Sequence, residues 1–296
     1  MAEGRTRIVC LGDVIDDVVA IPLGPIRDDT DTASSISFRA GGSAANTAAW
    51  LGSLGADVDF FGAVNNADVA RHAQLLTALD VTTHLRGQEA LPTGTIVVIV
   101  AGQQRTMLTE RGANARLDPA WVTDELLADT AVLHLTGHTL LNDAGAAGVA
   151  ELIARSKSLG VTVSVDPGSA GFIADYGVAE FCAAMAGADI IFPSLDEGKL
   201  LTGKETPELI ASGLGELFGT VVLTMGMAGV AVSHDGLATL VGAAEASVVD
   251  PTGAGDAFCA GYLAQWVRSG DVAAAARAGA AVAFRAVGIV GGRPPV

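Results

Sequence analysis

Basic charge is scarce in this chain: 17 lysines and arginines face 33 aspartates and glutamates among 296 residues, a formal net charge of -16. A field of that sign repels nucleic acid and anionic membranes, and neither is expected as a partner. It also disfavours a strongly anionic substrate outside a local basic pocket. Cysteine is rare as well. Cys10, Cys182 and Cys259 are odd in number, far apart and in apolar surroundings, which excludes a metal-ligand spacing and predicts reduced thiols that serve packing alone. Half of the residues are hydrophobic, yet the most apolar stretch, Thr95–Ala101, is far too short to span a bilayer. The opening residues MAEGRTRIVCLGD lack the apolar core and cleavage site of a secretory signal, so a cytoplasmic location is expected. No low-complexity linker, internal repeat or block of like charge is present. No Gly-x-Gly-x-x-Gly follows the first strand-like run, Ile8–Leu11, which removes the reading as a dinucleotide-binding dehydrogenase.

What the sequence does contain is alternation. Strand-like runs at Val132–Leu135, Thr162–Val165, Asp189–Phe192 and Thr220–Thr224 are separated by helical stretches such as Ala144–Ser158 and Gly177–Ala186. That pattern predicts an α/β fold with a mostly parallel sheet and helices on both faces. The first half adds Asp57–Phe61 as a strand, Ala44–Leu54 as a helix with Ser43 as its N-cap, and Asn66–Leu79 as a second helix. Four β-rich pieces do not fit the alternation: Val18–Ile21, Ser35–Arg39, Thr95–Val100 and Arg105–Thr109, the last two flanking the turn Ala101-Gly102-Gln103-Gln104. They predict a small separate sheet, a lid formed by segments near residues 17–40 and 94–110 on one domain spanning residues 1–296.

The run Val248-Val249-Asp250-Pro251-Thr252-Gly253-Ala254-Gly255-Asp256 reads as a strand end, a glycine-rich turn and a helix start. Phe258, Tyr262 and Trp266 then recur every four residues as one apolar stripe. A helix start presents unpaired N–H groups and a partial positive charge, and glycines let a phosphate approach that backbone. Gly253, Ala254 and Gly255 thus form a candidate anion hole for a transferring phosphoryl group. A carboxylate at that place repels phosphate. Asp256 makes sense instead as a base that accepts a proton from an attacking hydroxyl.

The run Asp250–Asp256 resembles the signature of the ribokinase-like (PfkB-type) carbohydrate kinase family, and three further motifs follow the family's order. Gly12 with Asp17 resembles its first-strand motif, and Gly41-Gly42-Ser43-Ala44-Ala45-Asn46 its Gly-Gly motif. Thr224-Met225-Gly226-Met227-Ala228-Gly229 resembles its nucleotide turn. The resemblance covers nearly the whole chain. It implies a ribokinase-like fold with a β lid, often paired into a homodimer, and an ATP- and Mg²⁺-dependent transfer to a hydroxyl of a small-molecule sugar. Asp17, Gly41, Gly42 and Asn46 would hold the acceptor. Ser194, Thr224, Gly226 and Gly229 would lie at the nucleotide, and Glu197 would organise magnesium. Asp250 and Thr252, with Ala283, Ala286 and Gly288, would hold a monovalent cation such as K⁺.

The chain also departs from the family. Ser194 stands where the family commonly has Asn, three residues before Glu197 in Ser194-Leu195-Asp196-Glu197, and the usual Gly-Asp pair is missing from Gly62–Asp68. Ile15 and Ser43 occupy places that hold Asn and Lys in ribokinases proper, which leaves a nucleoside as the alternative acceptor. A non-catalytic sugar sensor is a third reading, favoured by Ser194 alone. Arg105, Arg111 and Asn114 could reach the acceptor or be solvated lid residues. His134 and His138 read as structural histidines, and Asp166 as a turn residue.

Overall fold

The computed structural model describes residues 4–101, 104–242 and 248–295. Its strands are β1 Arg7–Leu11, β2 Ile15–Pro22, β3 Ser34–Gly41, β4 Val58–Asn65, β5 Thr82–Gln88, β6 Gly94–Ala101, β7 Gln104–Glu110, β8 Thr130–Thr136, β9 Thr162–Asp166, β10 Ile190–Ile191, β11 Thr220–Thr224, β12 Val230–His234 and β13 Leu237–Val241. Nine of these form one sheet in the order β13-β12-β11-β10-β9-β8-β1-β4-β5. From β11 to β5 every pairing is parallel, and β12 and β13 extend one edge antiparallel.

The parallel strands are buried on both faces, as helix-covered sheets require. In β1, Ile8 and Cys10 enter a core shared with Trp50, Phe60, Phe258 and Tyr262, while Val9 and Leu11 enter another with Leu133, Leu135, Phe181 and Phe218. Burying a large apolar side chain contributes about 1.5–3 kcal/mol, so these two layers outweigh any single surface contact. No helix among the described residues is long and apolar enough to cross a membrane. The chain adds β4 and β5 on one side of β1 and β8 to β11 on the other, so the strand order reverses beside β1. In open α/β sheets the carboxyl ends of the strands at such a reversal form the ligand crevice.

The four unplaced β pieces form a second sheet, ordered β3-β2-β6-β7, each a little longer than the sequence indicates. Gly102 and Gln103 of the expected turn lie outside the described residues, as does the side chain of Arg105. The register puts Asp17 opposite Arg39 and Ile96 on one face, and Val18, Phe38, Val97 and Leu108 on the other.

Local readings need correction at four places. The helix Ser43–Ser53 begins one residue early, and its N-cap is Gly42 at φ 94°. Its first N–H groups are met by the Asp13 carboxylate, which accepts from Ser43 N at 3.2 Å and Ala44 N at 3.4 Å. Asn66–Leu79 divides into a short turn, Asn66–Asp68, and a helix, Val69–Thr77, because the Asn65 side chain caps the turn through Ala67 N. The expected helix Gly177–Ala186 is shorter, Val178–Ala184, and Gly177 at φ 103° separates it from a further helix, Ala170–Tyr176, that the sequence pattern does not mark. Val248 and Val249 are not a strand. The N–H groups of Val249 and Asp250 both donate to Val287 O, which fastens the run to the end of the helix Val272–Ala286.

Candidate active site

The carboxyl ends of five parallel strands converge on one crevice. Asp13 follows β1, Gly137-His138 follow β8, Asp166 ends β9, Ser194 follows β10 and Thr224 ends β11. The helix Ala254–Ser269 is packed there by Phe258 and Tyr262, whose rings meet Phe192 with centroids 6.4 and 5.0 Å apart. This helix has no side-chain cap, although Ser194 and Asp271 cap others in the chain. Its first-turn N–H groups therefore receive no hydrogen bond from an N-cap side chain. Gly253 sits at φ 74°, and a Cβ there would lie 2.5 Å from Gly292 Cα. Gly255 differs: a Cβ there would meet nothing within 4 Å.

Asp256, in the first turn of that helix, is 8% exposed. Its Oδ2 accepts from Asn46 Nδ2 at 2.9 Å. Burial first, then the charge of Asp166, push its carboxyl well above the ordinary carboxylate range, against the pull of Asn46 and Arg293. A carboxyl held in this way takes a proton more readily than one in water.

Asp17 lies over the end of β3. A Cβ on Gly41 would come within 2.2 Å of Asp17 Oδ2, so only glycine leaves the carboxylate room. Burial pushes the Asp17 carboxyl up to about 6, with Arg293 opposing. Asn46 is engaged at both ends, since its Oδ1 accepts from Arg293 Nε at 3.2 Å. Three further candidates have partners within the protein. Asn114 makes two hydrogen bonds to the Val14 backbone, at 2.9 Å each. His134 pairs with Ser164 Oγ at 3.0 Å, and burial pushes it down to about 4. Arg111 donates to His138 O at 3.1 Å and faces the charge of Asp13, which leaves it beside the crevice. Ile15 is 4% exposed and packs toward Gly94.

Beyond the end of β10, Ser194 and Glu197 form a reciprocal cap on the helix Leu195–Thr202. Ser194 N donates to Glu197 Oε2 at 2.7 Å and Glu197 N to Ser194 Oγ at 3.4 Å. Asp166 both makes its expected turn, accepting from Gly168 N at 2.8 Å, and faces the site. Burial, then the Glu197 charge, raise its carboxyl, and burial raises Glu197 in turn. Cys259, expected only to pack, has its Sγ 3.8 Å from Asp166 Oδ2 and donates to it. Thr224 leads into the turn Gly226–Ala228, closed by Met225 N donating to Gly229 O at 2.8 Å. The Asp250 carboxylate accepts from Thr252 N and Gly291 N, both at 3.0 Å. The carbonyls of Ala283 and Ala286 accept from Val287 N and Ile289 N, while Gly288 N donates to Arg285 O.

Sequence reasoning missed Asp13 and Arg293, which no motif marks. Arg293 donates from Nη2 to Gly41 O at 2.7 Å. Only its place after the last helix, far from the motifs it touches, would have drawn notice.

This geometry agrees with what comparison finds. Over 272 residues the chain is 30% identical to an ATP-dependent ribose-1-phosphate kinase of Halopiger xanaduensis, covering 90% of this chain and 86% of that protein. It is 28% identical to a ribokinase of Haemophilus influenzae, covering 94% and 91%. Its fold superposes on an adenosine kinase from Sinorhizobium meliloti with a TM-score of 0.87 at 24% identity, over 99% and 97% of the two chains. Residues 5–296 match the description "pfkB family carbohydrate kinase", a span that includes both sheets, the crevice and every motif above. The chain belongs to the pfkB family of carbohydrate kinases.

Proposed function

We propose that this protein is a cytoplasmic enzyme that moves the γ-phosphoryl group of ATP to a hydroxyl of a small sugar. The observation that carries the reading is the buried Asp256 carboxyl in the first turn of a helix without a side-chain cap, beside a glycine that opens onto empty space. Asp17 and Asn46 orient the acceptor. Asp256 takes the proton of its hydroxyl as the oxygen attacks, and the Gly253–Gly255 backbone receives the charge of the transferring group. Transfer to water is the competing reaction. The small sheet β3-β2-β6-β7 serves as a lid that excludes water, with Gly41-Gly42 at its root. The names of the sugar-kinase relatives support a sugar over a nucleoside. A panel of sugars and nucleosides with coupled ADP detection tests the choice: release by a nucleoside and by no sugar would overturn it.

Magnesium fits this site. Asp166 and Glu197 are carboxyls whose burial and mutual repulsion a divalent cation would relieve, acting through the waters that magnesium keeps. When bound it would neutralise charge on the β- and γ-phosphates. Glu197→Gln removes one of the two charges, so the magnesium concentration for half-maximal rate should rise about tenfold. A magnesium titration checks this, and an unchanged curve would remove Glu197 from the metal site. Asp250 and Thr252 fit the bend of a monovalent-cation site, to be tested by rate in K⁺ against Na⁺.

The lid face opposite Asp17 carries Phe38 at 78%, Ile36 at 58% and Leu108 at 57% exposure. An apolar face of this kind suits a second copy of the chain. Phe38→Asp should convert a dimer to a monomer in sedimentation, while a wild-type chain that sediments as a monomer would contradict the pairing.

A further inference from the structure

Arg293 lies in a segment clamped between the parts of the site. Gly291 N donates to Asp250 Oδ2 at 3.0 Å, and Trp50 Nε1 donates to Gly292 O at 2.9 Å. Arg39 Nη1 donates to Val290 O at 3.2 Å. Gly292 packs so closely that a Cβ would lie 2.4 Å from Asn46 Nδ2. From this anchored backbone Arg293 sends Nε to Asn46 Oδ1 at 3.2 Å and Nη2 to Gly41 O at 2.7 Å.

A guanidinium donates and never accepts. The Asn46 amide must therefore turn its oxygen to Arg293, and its Nδ2 is left for Asp256 Oδ2 at 2.9 Å. Reversing the amide would set an N–H against a cation and an oxygen against a carboxylate. Without Arg293 both orientations of Asn46 become accessible, and Asp256 loses its fixed partner for part of the time.

We propose that Arg293 is a positioning residue for Asp256, acting through the amide of Asn46. The inference rests on Asp256 being the base. The remaining nitrogen, Nη1, is buried without a hydrogen-bond partner, which raises direct contact with the acceptor as the rival role.

Arg293→Met keeps the stem and removes the fork. It should lower kcat about 10- to 100-fold, as loss of a partner that orients a reacting group does, with the KM for ATP nearly unchanged. Millimolar guanidinium should restore part of that rate. In an Asn46→Ala background the same substitution should cost much less than in the wild type, because the amide it acts through is gone. If Arg293→Met does not fold, Arg293→Lys serves, since one ammonium cannot span Asn46 and Gly41 together. Three results would overturn the role. These are equal costs in the two backgrounds, a higher acceptor KM at normal kcat, and lost thermal stability without guanidinium recovery. Asp256→Asn measured alongside separates the claims: near-normal kcat there defeats the base, whereas a large loss there with equal Arg293 costs defeats only the positioning.

Discussion

Asp256→Asn should lower kcat by about 10²- to 10⁴-fold while ATP binds almost as before, because a base acts mainly in the transition state. The substitution keeps the shape of a side chain that is 8% exposed, so packing against the helix Ser43–Ser53 survives. The pH profile follows from the same burial. The Asp256 carboxyl is held above its ordinary value of about 4, and a base works only when deprotonated. The wild-type rate should therefore fall with decreasing pH at an acid limb well above pH 4, and this limb should vanish from whatever rate remains in Asp256→Asn. A stopped assay of kcat across pH in both proteins reads the two effects together.

The second large effect separates two glycines two residues apart, Gly253 and Gly255. Gly253 is held at φ 74° with Gly292 Cα where its Cβ would be. Gly253→Ala combines left-handed strain of about 1 kcal/mol with displacement of the segment that carries Arg293. It should lower the melting temperature by at least roughly 2–4 °C and activity with it. Gly255 has open space above it and an ordinary φ. Gly255→Ala should leave the melting temperature within about 2 °C, since alanine is at home in a helix. Yet it should lower kcat/KM for ATP at least tenfold, about 1.4 kcal/mol, because the methyl group occupies the space into which a phosphoryl group must come. Thermal melts and ATP kinetics on the pair decide this. Equal stability losses would place Gly255 in the framework, and full activity in Gly255→Ala would move the anion hole elsewhere.

How far the sequence disclosed this protein depended on whether the relevant chemistry is contiguous. The run Asp250–Asp256 encodes a turn, a helix start and a carboxylate in seven neighbouring residues, and all three are found where they were read. The strands β8, β9 and β11 were legible because valine, leucine and threonine dominate them. β5, reading Thr-Thr-His-Leu-Arg-Gly-Gln at the sheet's edge, lacks that signal, and the five-residue β13 leaves four of its side chains exposed. The cap of the first helix was misassigned to Ser43 because the carboxylate that serves it, Asp13, stands 30 residues earlier and is delivered by topology. Arg293 was invisible for the same reason: its hydrogen bond to Asn46 spans 247 residues. Ser194 was placed at the nucleotide by resemblance alone. The structure shows its helix cap, and the Glu197 carboxylate that closes it also acts on Asp166.

The most direct test follows the phosphoryl group itself. The wild-type protein is incubated with γ-labelled ATP, magnesium and the sugar that gives the highest ADP release, and the products are separated. The label should appear in a phosphate ester of the sugar, in step with ADP, and Asp256→Asn should slow that transfer about 10²- to 10⁴-fold. Label recovered as inorganic phosphate or bound to the protein, with the sugar unlabelled, would contradict direct transfer to a hydroxyl activated by Asp256.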